Sequence, residues 1–80
     1  MKQFTVRWFA AYREATGLEQ ELVLSSANSP AELFAEMTRQ HPGLGTYSRA
    51  LVAINDQMTS WDSSLQGDEQ VLFFPPVGGG

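Results

Sequence analysis

Residues 69–80 read EQVLFFPPVGGG. The apolar, aromatic-rich first half is typical of a β-strand, so we expect residues 69–74 to form the last strand of the fold. Prolines and then glycines follow, which predicts a change from folded domain to extended chain. We therefore divide the sequence into a domain at residues 1–74 and a C-terminal tail at residues 75–80.

The tail has the composition of a thin, neutral probe. Pro75 and Pro76 fix φ near the polyproline value and keep the backbone extended. Gly78, Gly79 and Gly80 carry no side chain, so they can pass through a site too narrow for a Cβ atom. Gly80 is the last residue of the sequence, and we expect its α-carboxylate to be the reactive group at the tip. The alternative is an inert, frayed terminus.

Upstream, the first strand is predicted at residues 3–10, where alternation directs one set of side chains to the core. That set is Phe4, Val6 and Trp8. A short helical turn at residues 11–16 follows, closed by Gly17 as its C-cap. A second strand at residues 19–25 is close enough in sequence to pair with the first as an antiparallel hairpin.

The main helix has a clear start. Ser29 suits the N-cap, Pro30 the first helical position and Glu32 the capping box. The apolar side chains at helical spacing are predicted to face the core: Leu33, Phe34 and Met37. The helix should end near Gln40, and His41 is expected to be exposed to water at its end.

After the helix, residues 50–55 form a continuous apolar run that suits a central strand buried on both faces. Asn55 and Asp56 predict a turn, and residues 58–60 a short edge strand. Two side chains before the last strand are expected to close the core: Trp61 and Leu65. This order of elements predicts an α+β fold, with a mixed sheet of four or five strands and one main helix across one face.

A single helix leaves the other face of the sheet open. If Val71 and Phe73 face the core, alternation places four apolar side chains on the open face: Phe9, Met58, Leu72 and Phe74. Such a patch is typical of a partner surface, although a shift of one residue in register would turn each strand over. Arg13 is a further candidate for a partner contact, and its alternative role is that of a solvated surface arginine.

The composition argues against several kinds of site. The 80 residues carry a net charge of −4 with five scattered basic residues, which does not favour nucleic-acid binding. No cysteine is present and His41 is the only histidine, so we expect no metal site and no thiol nucleophile. There is no catalytic triad, phosphate-binding loop or apolar run long enough to cross a membrane. We expect a cytoplasmic protein that binds no cofactor and is not an enzyme by itself.

Residues 73–80, FFPPVGGG, resemble the C-terminus of the small, sulfur-carrier subunit of molybdopterin synthase, which ends in Phe-Pro-Pro-Val-x-Gly-Gly. Residues 65–71, LQGDEQV, are similar to the turn and strand of the same ubiquitin-like superfamily, and Arg13-Glu14 resembles the Arg-Glu that the family places after its first strand. The resemblance covers the whole chain in length and element order. It implies a β-grasp fold, with the first and last strands parallel at the centre of the sheet.

By that resemblance, an adenylyltransferase of the ubiquitin-activating type uses ATP to join Gly80 to AMP. A sulfur donor then displaces AMP and leaves a terminal thiocarboxylate. The loaded tail enters the large catalytic subunit of molybdopterin synthase, in a complex expected to be a heterotetramer, and gives its sulfur to cyclic pyranopterin monophosphate. The resemblance also implies that the catalytic residues lie on the large subunit and that the outer face of the sheet docks there.

Three alternatives remain open. A ubiquitin-like modifier joins its terminal glycine to lysines of other proteins, and some small archaeal modifiers share this tail. A thiamine-pathway sulfur carrier has the same fold, but its tail usually lacks the Pro-Pro pair. A plain interaction domain with an inert terminus is the third alternative.

Overall fold

The computed structural model describes residues 1–46 and 49–76, which form five strands, two α-helices and one 3₁₀ turn. In chain order these are β1 Lys2–Trp8, α1 Ala11–Thr16, β2 Gln20–Ser25, α2 Pro30–Gln40, the 3₁₀ turn Pro42–Leu44, β3 Leu51–Ile54, β4 Gln57–Thr59 and β5 Gln70–Phe74. The predicted elements are all present, and most of their ends lie within a residue or two of the predicted positions. None of the helices in these residues is long and apolar enough to cross a membrane.

The strands form one mixed sheet in the order β2-β1-β5-β3-β4. β1 and β5 run parallel at its centre, with Val6 opposite Val71 and Trp8 opposite Phe73. The other pairings are antiparallel, including the predicted hairpin of β1 with β2. The expected α+β architecture, with the first and last strands side by side, is therefore confirmed.

One strand differs from its prediction. Residues 50–55 were expected to form a central strand buried on both faces, whereas β3 lies between β5 and the edge strand β4. Val52 is fully buried, but Leu51 is 55% exposed. The apolar run therefore does not indicate burial on both faces, because no helix among the described residues covers the outer face at Leu51.

The core lies between the inner face of the sheet and α2. Phe4, Val6 and Trp8 are buried from the sheet side as predicted. The predicted helix stripe of Leu33, Phe34 and Met37 is buried opposite them. Leu65 is fully buried and Trp61 packs against the cluster, so the expected closure of the core by these two side chains is confirmed.

Local signals set the ends of α2. The Ser29 side chain accepts a hydrogen bond from the backbone N–H of Glu32 at 3.2 Å. A carboxylate oxygen of Glu32 in turn accepts a hydrogen bond of 3.0 Å from the backbone N–H of Asn28, one residue before the N-cap. Orphan N–H groups at the helix start thus gain acceptors. At the other end, the N–H of His41 donates to the carbonyl of Met37.

The expectation that His41 is exposed to water is wrong. Its side chain is only 17% exposed, and its Nε2 lies 3.0 Å from Oε2 of Glu21. The same oxygen accepts the indole N–H of Trp8 at 2.8 Å. The His41 ring also meets the Trp8 ring edge-on at 6.0 Å. This residue therefore ties the end of α2 to β1 and β2, a long-range contact that the local sequence does not signal.

Replacing Ser29 with alanine removes the N-cap acceptor. We expect the free energy of unfolding to fall by about 1 kcal/mol, measured by urea denaturation. Ser26→Ala is the matched control, since Ser26 is exposed just upstream of the helix, and it should change stability by less than about 0.5 kcal/mol. Equal effects of the two substitutions would contradict the assignment of Ser29 as the cap.

Candidate functional site

The candidate site lies where the chain leaves the sheet. β5 ends at Phe74, after which Pro75 is half-buried and Pro76 is exposed. Residues 77–80, which include Gly78, Gly79 and Gly80, lie outside the described residues. The roles of these glycines therefore stay predictions. The described part of the site is the root of the tail and the surface around it.

Two aromatic rings mark this root. The rings of Phe9 and Phe74 stack with centroids 4.6 Å apart and planes 18° from parallel. Trp8 and Phe73 are paired in the parallel strands β1 and β5, and their side chains face the core. Phe9 and Phe74 each come one residue later, so both lie side by side on the outer face. The Arg7 guanidinium lies 5.3 Å from the centre of the Phe9 ring, which is a cation–π contact.

The outer face continues from this pair as a row of residues in register. Arg7 lies opposite Leu72, Leu72 opposite Ala53, and Ala53 opposite Met58. Directly paired residues share a face of the sheet. Met58 on the edge strand is therefore on the same face as Leu72, roughly 10 Å away at two strand spacings.

The exposure along this row corrects one expectation. Met58 is 55% exposed, as a surface side chain should be, but Leu72 is only 5% exposed. Leu72 is absent from the core cluster that contains Val71 and Phe73, so it points to the outer face and is nonetheless buried there. Its neighbours on both adjacent strands account for this, because β5 is the middle strand of the sheet. Leu72 thus supports the outer surface without being part of its exposed area.

Sequence reasoning missed other apolar side chains on the outer face. Leu51 lies directly opposite Phe74, beside the root of the tail. Leu22 and Leu24, which are 70% and 67% exposed, extend the apolar character to the edge strand β2. Alternation in β2 is a signal for the two leucines, since Val23 between them is buried. Leu51 had no such signal, because its position depends on the register between β3 and β5.

Arg13 lies on α1, exposed, with its guanidinium 3.6 Å from the carboxylate of Glu19. It lines an open surface depression of about 300 Å³ together with Arg7, Phe9 and Glu19. The structure therefore brings Arg13 to the same end of the sheet as the Phe9–Phe74 pair. Met58 does not line this depression and lies on the opposite edge strand.

The electrostatics near the site are simple. Burial raises the pKa of the Tyr12 hydroxyl, whose oxygen has no hydrogen-bond partner in the described part of the chain. The hydroxyl is therefore protonated at neutral pH. Within residues 1–46 and 49–76, no group of three or more histidine or carboxylate side chains is placed to hold a metal ion.

Comparison with known proteins gives the family. The model of the ThiS family matches residues 6–80, which is nearly the whole sequence. The chain therefore belongs to the ThiS family. A search of curated proteins gave no match.

Solved structures agree with this assignment. A putative molybdopterin converting factor, subunit 1, from Pyrococcus furiosus has a TM-score of 0.81 and 25% identity, covering 96% of this chain and all of that one. A chain from the complex of subunits 1 and 2 of molybdopterin-converting factor from Helicobacter pylori 26695 also matches. Its TM-score is 0.64 and its identity 25%, and the match covers 98% of this chain and 99% of that one. Small archaeal modifier protein 1 from Methanosarcina acetivorans has a TM-score of 0.83 and 21% identity, covering 100% and 98%. The fold is thus the ubiquitin-like β-grasp of sulfur carriers and small modifiers.

The burial of Leu72 can be tested against the exposure of Met58. Leu72→Asp places a carboxylate where water is excluded, and we expect it to lower the free energy of unfolding by at least ~3 kcal/mol. Met58→Asp should change it by less than about 1 kcal/mol, because the new charge stays in water. Urea denaturation measures both. A stable Leu72→Asp variant would show that the outer face is open at β5.

Proposed function

We propose that this chain is the sulfur carrier of molybdopterin synthesis and that Gly80 carries the sulfur. The observation that supports this most is the position of the PPVGGG sequence, which continues directly from the middle strand of the sheet. A strand paired on both sides cannot swing, so the point at Phe74 from which the tail begins has a fixed position. The 25% identity to a protein described as subunit 1 of a molybdopterin converting factor is the second support.

The chemistry requires activation of a carboxylate. A carboxylate is a poor acyl donor because oxide is a poor leaving group. We propose that ATP and the Gly80 carboxylate give an acyl-adenylate and pyrophosphate. Sulfide from a donor then attacks the acyl carbon, the acyl–oxygen bond to AMP breaks, and a thiocarboxylate remains. ATP belongs in this scheme to a separate adenylyltransferase of the ubiquitin-activating type.

The delivery step places the catalytic groups elsewhere. We propose that the loaded tail enters the large catalytic subunit of molybdopterin synthase, and that sulfur passes there to cyclic pyranopterin monophosphate. The chain itself acts as a non-catalytic subunit in this proposal. A Helicobacter pylori protein of similar structure is described in a complex of subunits 1 and 2, which supports a two-subunit assembly, and we propose a heterotetramer.

The docking surface in this proposal is the outer face around the root of the tail. Phe9 and Phe74 form its aromatic centre. Leu51 is exposed beside Phe74, and Met58 is exposed further out on the edge strand β4. Leu72 lies on the same face between Arg7 and Ala53 and is buried there. Arg13 would contact the partner at the α1 side, beyond Phe9.

The tail chemistry can be read from the mass of the intact protein. Protein purified from its own cells should include a species heavier by the exchange of one oxygen for sulfur, read from intact mass spectrometry. Deleting Gly80 should abolish this species, since the acyl group would be displaced from the activating site. Incubation with the large subunit and the pterin precursor should return the mass to that of the carboxylate.

Other results would point to the alternatives. Recovery of Gly80 in isopeptide linkage to lysines of other proteins would favour a ubiquitin-like modifier. A thiocarboxylate that discharges only in the presence of thiamine-pathway enzymes would assign the carrier to that pathway. Full function after deletion of Gly79 and Gly80 would show that the terminus is inert.

The docking surface can be tested by placing a charge on it. Met58→Asp should raise the Kd for the large subunit by about tenfold or more, because docking would bury the new charge. Gln57→Asp is the matched control, with the same charge change on the adjacent exposed residue that faces the other side of β4. Titration calorimetry measures both. Equal weakening by the two variants would indicate a general charge effect and contradict docking through the outer face.

A further inference from the structure

The chain has very few groups that an activated glycine could acylate. Lys2 is the only lysine in the sequence, and there is no cysteine. The other basic side chains are arginines and His41. Arginine stays protonated at any pH that proteins experience, so it does not form amides under these conditions. Lys2 is therefore the one side-chain amine able to compete with sulfide for the acyl group.

The ammonium group of Lys2 is held in a cradle of oxygens. Its Nζ donates to the Ala27 carbonyl at 3.1 Å, to the Leu65 carbonyl at 3.0 Å and to the Asn28 side-chain oxygen at 2.6 Å. An ammonium has three N–H bonds and no lone pair. Each N–H thus has an acceptor, and the charge ties the start of β1 to the two loops that flank α2 and β5.

The cradle is also remote from the root of the tail. Lys2 is the first residue of β1 and lies opposite Ser25, whereas the tail leaves beyond the last residue of β5, near Trp8. The two strands are parallel, so these points lie at opposite ends of the sheet, about 20 Å apart at the rise of an extended strand.

We propose that this carrier is protected against acylation by the activated tails of other copies of itself. The inference rests on the proposed activation of Gly80. In the unwanted reaction, the unprotonated Lys2 amine would attack the acyl carbon, an amide bond would form, and AMP would leave as the amine lost a proton. That step needs a free lone pair on Nζ, so the ammonium must first leave hydrogen bonds to Ala27, Asn28 and Leu65 and then lose a proton. The activated chain is consequently an acyl donor whose single lysine does not serve as an acceptor, and it forms no lysine-linked polymers.

The reactivity of Lys2 can be measured without any activating enzyme. A Gln40→Lys variant adds a reference lysine at an exposed position in the last turn of α2, where a cation suits the helix dipole. Trace labelling with an N-hydroxysuccinimide acetate ester, followed by peptide mass spectrometry, compares both amines in one molecule. We expect Lys2 to react roughly tenfold or more slowly than Lys at position 40, because at least one charge-assisted hydrogen bond must break first. Equal rates in the folded protein would overturn the proposal.

Two further samples test whether the hydrogen bonds of the cradle cause the slow labelling of Lys2. In urea, the two lysines should label at similar rates, because the cradle exists only in the folded chain. Asn28→Ala removes the shortest of the three contacts and should raise the labelling rate of Lys2 several-fold while the reference amine is unchanged. An unchanged ratio in both samples would mean that the hydrogen bonds do not protect the amine.

The final sample tests the biological reaction and separates the two proposals. The Gln40→Lys protein is incubated with a ubiquitin-activating-type adenylyltransferase and ATP, without a sulfur donor. Amide links from Gly80 to the lysine at position 40, but none to Lys2, are the expected result. Links to Lys2 at a similar yield would overturn the protection. If no links form at either lysine, the proposed activation of Gly80 is in question, while the labelling ratio still decides the reactivity of Lys2.

Discussion

The position of Phe73 in the middle strand is the constraint on which the rest of the structure depends. Its ring stacks on Trp8 at 5.4 Å and on Trp61 at 5.6 Å, and it meets Phe34 edge-on at 5.1 Å. These partners come from β1, from the loop before β5 and from α2. Such aromatic pairs add about 0.5–1.5 kcal/mol each beyond the burial of their area. One side chain therefore fixes the helix, the parallel strand and the closing loop against each other.

The same strand sets the geometry of the site. Because side chains alternate, locking Phe73 into the core forces Leu72 and Phe74 to the outer face. The parallel pairing of β1 then carries Phe9 to the place where it stacks on Phe74. The chain beyond Phe74 leaves from this platform. Core packing and the root of the tail are thus two consequences of one register, and a slip of one residue would disrupt both.

Local sequence was sufficient wherever a feature depends on neighbouring residues. Ser29, Pro30 and Glu32 predicted the start of α2, and Gly17 takes the left-handed conformation, with φ of 76°, that was expected of a helix C-cap. Asn55 and Asp56 likewise both have positive φ in the tight turn between β3 and β4. Backbone conformations of this kind are set by the residue types within a few positions.

The errors arose where two distant segments meet. The contact of His41 with Glu21 spans 20 residues, and the burial of Leu72 depends on strands on both of its sides. The exposure of Leu51 depends on which strand lies beside it and on what covers its outer face. The roles of the tail glycines were predicted from the terminal motif and not from the fold. The geometry of the sheet therefore does not test that prediction.

The outer face of the sheet carries more exposed apolar side chains than a face turned to water usually does. A sheet covered by a helix on one side commonly alternates between buried apolar and solvated polar residues. Here Met58, Leu51, Leu22 and Leu24 are all largely exposed, on strands to both sides of β5. Four exposed apolar side chains on one face add little to the stability of the isolated chain, because more than half of each residue's surface stays in water. They favour association instead, since burial of apolar area contributes about 25 cal/mol per Å². The inner face of the sheet is therefore fully covered, whereas the outer face leaves apolar side chains exposed. This exposed face is also the one on which Phe9 and Phe74 stack at the root of the tail.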